Sequence, residues 1–116
     1  MPWTIVEDTH EAAAAMRSWI IVAACDLNNA LSAAAVAEDV RRAVVGGFVR
    51  RVAASLEGAG PEFGWSDGIV SPRLVFVDVH SGLSRLHYAD APALRRDVDF
   101  LIDSVFNPPL DQPERG

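Results

Sequence analysis

Apolar residues recur at spacings of three and four through the first third of the chain: Ala12, Met16, Trp19, Ile20, Ala23, Leu27 and Leu31. That spacing marks one face of an α-helix. No Gly or Pro occurs between Trp3 and Gly46. Thr4-x-x-Glu7 fits a capping box, in which Thr4 caps an orphan N–H and Glu7 reaches back, so the helix is expected to begin there. Asp26-Leu27-Asn28-Asn29 interrupts the pattern with residues that compete for backbone hydrogen bonds. A single helix of about fifty residues is rare in a globular domain. A break is therefore expected near residues 28–32.

A second helix is predicted over about 32–57, with a stripe of Val44, Val45, Phe48, Val49, Val52 and Leu56. Its opposite face, Val36, Val40, Ala43, Gly47 and Ala54, is made mostly of small residues. Glycine inside a helix costs about 1 kcal/mol relative to Ala, so Gly46-Gly47 requires a reason. Either the helix kinks, or it is sandwiched between the core and another helix, from this chain or a second copy. Ala43 and Gly47 are candidate contact residues on the second reading. Gly58 and Gly60-Pro61 end the helix.

Residues 58–72 then read as a long connection carrying Phe63, Trp65 and Asp67 among four glycines. Loops of about fifteen residues are uncommon and often functional. The aromatics either fold back to plug the core or present anchors to a partner; Phe63, Trp65 and Asp67 are partner-binding candidates. Residues 73–80 and 83–89 are rich in β-formers around Ser81-Gly82 and predict a hairpin. A two-residue turn pairs Val79 with Ser84, Val77 with Leu86 and Val75 with Tyr88. A three-residue turn with a bulge pairs Val79 with Leu83 instead. The first register gives one nearly pure apolar face and sets Asp78 opposite Arg85, and it is preferred. A last helix is predicted over about 91–106, capped by Asp90, with Pro92 in its first turn and a stripe of Leu94, Val98, Leu101, Ile102 and Val105. Asn107-Pro108-Pro109 stops it. The order α-α-β-β-α makes an α+β fold: one domain over residues 1–106 and a polar tail over 107–116.

Composition bounds the function. With 116 residues, half of them hydrophobic, the chain can bury one core. The longest apolar run, residues 19–25, is too short to span a membrane, and no basic stretch precedes an apolar one at the N-terminus as in a secretory signal. The net charge of −6 argues against non-specific binding to nucleic acid or anionic lipid. All ten basic residues are arginine, a pattern expected from codon bias or from use of the planar guanidinium fork at interfaces. Cys25 is the only cysteine, which excludes an internal disulfide and suits the reducing cytoplasm. It sits in an apolar run with no basic neighbour, and reads as a small buried hydrophobe rather than a reactive thiol.

Chemistry-bearing residues concentrate on the polar hairpin face. Asp78, His80, Arg85 and His87 share it in the preferred register, and two His with one Asp are the elements of a metal or acid–base site. The plainer reading is a solvated sheet face with an Asp–Arg pair. The arginine pairs at 41–42, 50–51 and 95–96 form no single basic stripe, and Glu38 is placed to pair with Arg42. No nucleophile elbow, HExxH, EF-hand or phosphate-loop pattern occurs. The sequence is best read as a cytoplasmic, non-enzymatic protein-interaction or assembly module without a cofactor, working as a homodimer. The alternatives are a winged-helix-like DNA-binding regulator, with Arg73 and Arg85 on the wing, and a small metal-binding or hydrolytic protein using Asp78, His80 and His87.

Overall fold

A computed structural model describes residues 3–59, 61–71, 73–79, 82, 84–89 and 92–107. The fold is α+β, with the expected helix–helix–hairpin–helix order and two additions. Strand β1 (Thr4–Glu7) leads into helix α1 (Thr9–Ala33) and helix α2 (Glu38–Ala54), which ends in a wider turn over Ser55–Ala59. Strands β2 (Phe63–Trp65) and β3 (Gly68–Val70) follow, then β4 (Phe76–Val77), β5 (Arg85–Tyr88), a 3-10 turn at Arg95–Asp97 and helix α3 (Val98–Phe106).

The first addition corrects the N-terminus. Thr4–Glu7 is a strand and not a capping box; it pairs in parallel with β5, Ile5 against Leu86 and Val6 against His87. The β-branched Thr4-Ile5-Val6 run suits a strand. The cap is Asp8, whose carboxylate accepts from the Glu11 backbone N–H at 3.3 Å. Asp8-x-x-Glu11 repeats the same spacing four residues later.

The two helices are separate, but α1 continues through Asn28 and turns at residues 34–37. Asn28 does not break the helix because its side chain is used across the helix pair. Arg41 Nε donates to Asn28 Oδ1 at 3.0 Å, and an Arg41 terminal nitrogen donates to the Val36 carbonyl at 2.7 Å. Arg41 thus clamps the turn. The turn closes as a Schellman motif: Val36 N–H donates to Leu31 and Ala35 N–H to Ser32, with Ala35 at φ 63°.

Three helices enclose the core. Met16, Ile20 and Ala24 of α1 meet Val45, Val49 and Ala53 of α2 and Val98, Leu101 and Val105 of α3, with Leu94 and Ala89 completing the cluster. The helical start at Arg95 corrects the expected start near 91; Asp90 lies outside the described residues. Glu57 takes the capping place, accepting from both the Arg95 backbone N–H and its Nε. The close helix approach is at Gly46, where an added Cβ would meet Ile102 of α3 at 3.6 Å and Arg50 at 3.1 Å. Around Gly47 there is open space, and Ala43 is exposed. Among the described residues nothing packs on this face at Ala43 and Gly47, while Val36 and Ala54 at its ends are half-buried, so the expected sandwich within one copy does not form at its centre.

The sheet has the order β1-β5-β4, with β4 antiparallel to β5. Val77 pairs with Leu86 and Phe76 with His87, the preferred two-residue register. The second addition is β2–β3, a separate two-stranded hairpin inside the expected long loop, pairing Phe63 with Val70 and Trp65 with Gly68. Among the described residues, no helix is long and apolar enough to cross a membrane.

Candidate functional site

Pairing parity divides the three-stranded sheet into two faces. Val6, His87 and Phe76 share one, with Leu74, Asp78 and Arg85; Ile5, Leu86 and Val77 share the other. Phe76 and Leu74 pack on the core, so the first face looks inward. The mixed face, expected to be solvated, is the covered one, and the valine face is turned outward.

The inward polar residues come together. Arg85 Nε donates to Asp78 Oδ2 at 2.7 Å, and His87 Nε2 lies 3.1 Å from Asp78 Oδ1. Asp78 and His87 border a cleft of about 250 Å³ with Asp8, Glu11 and Phe76, between the sheet and the start of α1. His80 lies outside the described residues. Among the described residues, no group of three His, Cys, Asp or Glu side chains is arranged to hold a metal ion. Both Asp78 oxygens are already engaged, so the pair works as a structural link between strands.

The Arg85 hydrogen bond, and after it the one from His87, hold the Asp78 carboxyl below the usual carboxylate range. Such a group adds stability above its unfolded pKa, roughly 3.9, and that stability is lost as pH falls through the lower folded value. Asp78→Asn is therefore expected to be less stable than wild type at neutral pH, with the difference shrinking below about pH 4. Urea midpoints across pH check this. A difference that does not change with pH would show that the carboxylate charge is not what stabilises the pair.

Arg85, one of the two wing cations, is occupied by Asp78. Several other arginines are engaged as well. Arg42 pairs with Glu38 at 2.9 Å, as the spacing indicated, and lies over the Phe106 ring. Arg17 meets Asp97 at 3.6 Å. Arg50, Arg95 and Arg96 line a second cavity of about 300 Å³ with Val98 and Asp99, and Arg95 is held there by Glu57. Cys25 is half-buried.

The outward sheet face is the larger feature. Ile5 is 67% exposed, Val77 46%, and the residues flanking β4, Val75 and Val79, 42% and 81%. Trp3, just ahead of β1, is also exposed. Glu7, paired with Tyr88 at one end, carries the only charge on that face of β1, β4 and β5. The β2–β3 hairpin is a second exposed apolar feature. Every residue from 61 to 70 is exposed, including Phe63 and Asp67, with Trp65 and Ile69 each at 71%. The aromatics do not plug the core. The sequence offered a signal for this hairpin in Phe63 and Trp65, then Ser66-Asp67, then Ile69-Val70: two apolar runs around a two-residue turn. No known protein family, curated protein or solved structure matches this chain.

Proposed function

We propose that this protein is an assembly module that acts by associating with a second copy of itself through the outer sheet face. The observation that carries the reading is a sheet whose outer face is apolar but uncovered, while the helical layer lies on the inner side only. Leu74-Val75-Phe76-Val77 is an unbroken apolar run, the pattern of a strand covered on both faces. β1 and β5 form a parallel pair, an arrangement normally buried on both sides. Here α1 covers the inner side and leaves Ile5 and Val77 in water.

A second copy is the occupant because a two-fold operation presents the same uncharged apolar patch from both sides. Each chain carries −6, which opposes association, so the contact has to run through uncharged surface, and the middle of this face is uncharged. A basic partner would instead call for acidic side chains within the patch. Reducing conditions suit an assembly with a single half-buried thiol and no possible internal disulfide, and the cytoplasm is the compartment proposed.

All three tryptophans, Trp3, Trp19 and Trp65, are exposed in the single chain. Self-association is expected to bury Trp3 and Trp65. Diluting the protein from high micromolar to nanomolar concentration should therefore shift tryptophan emission to longer wavelength and increase quenching by acrylamide. Emission that is red and fully quenchable at every concentration overturns the proposal.

A further inference from the structure

We infer that the β2–β3 hairpin of one copy lies on the outer sheet face of the second copy, reciprocally, so that each supplies the layer the other lacks. This rests on the self-assembly reading and names the element that completes it.

Among the described residues, the hairpin and the outer sheet face are both left uncovered. The hairpin stands clear of its own body, since all of residues 61–70 are exposed. A lone two-stranded hairpin is marginal in water, and one that persists needs a surface to pack on. Its register puts Phe63, Trp65 and Val70 on one side and Ile69 on the other. The outer sheet face is the second surface, with Ile5, Val77 and Val79 uncovered.

The two surfaces match in size. Two strands of three residues make a patch about 10 Å long and 5 Å between strands; β5 runs about 13 Å, with β1 and β4 roughly 5 Å to either side. Sheets stack in this way about 10 Å apart. Aromatics such as Phe63 and Trp65 bury roughly 150–250 Å² each when covered, and Ile5, Val77 and Val79 add to them toward the roughly 800 Å² per partner of a standard interface. The surfaces are also contiguous in sequence, with residues 71–75 linking β3 to β4. A two-fold exchange therefore places both contacts in one continuous interface.

The test uses single-cysteine chains in a Cys25→Ala background. Gly68→Cys places a thiol on the side of the hairpin that carries Trp65, with nothing within 4 Å of the added Cβ. Val77→Cys places one at the centre of the face. A short flexible bis-maleimide is expected to give a covalent dimer in good yield from the mixture of the two chains, above the yield from either alone. Equal yields in the mixture and the separate chains, or a double variant that closes only within one chain, overturn the inference. Trp65→Ser supplies a second readout by sedimentation. Dimer affinity is expected to fall by about 100-fold with the melting temperature of the monomer unchanged. If wild type associates and Trp65→Ser associates equally well, the exchange is wrong while self-assembly stands. If wild type is itself monomeric, both fail.

Discussion

A Val77→Glu chain is expected to be monomeric at concentrations where the wild type associates, and to fold as stably as the wild type. Val77 sits on the edge strand β4, is nearly half exposed in the single chain, and pairs with Leu86 at the centre of the outer face. In a monomer the new carboxylate reaches water, and substitutions at such surface positions change stability by about 0.5 kcal/mol or less. In the assembly it would be buried without a counter-charge, which costs about 3–5 kcal/mol when no partner is present. A two-fold dimer carries two such groups, one from each copy. A loss of at least 100-fold in affinity follows from only about 2.7 kcal/mol of that penalty. Sedimentation and thermal melting of the same sample separate the two effects. A variant that associates as tightly as wild type would place the interface elsewhere. One that is strongly destabilised would show that the face is packed within the chain.

The second large effect is on the fold. Leu101→Ala is expected to lose about 3 kcal/mol of stability, within the roughly 2–5 kcal/mol seen for Leu→Ala in cores. Leu101 is fully buried among residues of all three helices. For a domain of this length the melting temperature should drop by about 10–20 °C. Phe100 provides the control. It is adjacent in sequence and larger, but it is 66% exposed. Phe100→Ala is expected to change stability by about 0.5 kcal/mol or less. Comparable losses at both positions would mean that α3 is rotated from the orientation described.

The helices and the β4–β5 register were legible because each rests on a short-range rule. Leu94, Val98, Leu101 and Val105 are buried as their spacing requires, and the Asp78–Arg85 pair fits only the two-residue register. β1 was hidden because Thr4-x-x-Glu7 satisfies a helix-start pattern that Asp8-x-x-Glu11 satisfies as well. Only the pairing with β5, about eighty residues away, decides between them. The helix boundary moved because Asn28 is bonded to Arg41 rather than to its own backbone. The sense of the hairpin was illegible for another reason. Alternation shows which residues share a face, but not which face meets the core. Phe76 and Leu74 fill the space against the helices and leave the smaller valines outside.

Of the candidate contact residues, Phe63, Trp65 and Asp67 are presented on the exposed hairpin, while Ala43 and Gly47 are exposed on α2, with open space around Gly47 among the described residues. The polar set divides differently. Asp78, Arg85 and His87 are tied to one another beneath the sheet. Their geometry suits holding β4 to β5, and in the proposed function recognition falls to the apolar surface.

The measurement that tests this account most directly is the solution mass of the wild-type chain by sedimentation equilibrium across a wide concentration range, at low and high salt. The expected result is a mass near twice 12.5 kDa at micromolar concentration. Association should tighten as salt screens the repulsion between two chains of net charge −6. A mass of one chain at every concentration and salt would contradict it.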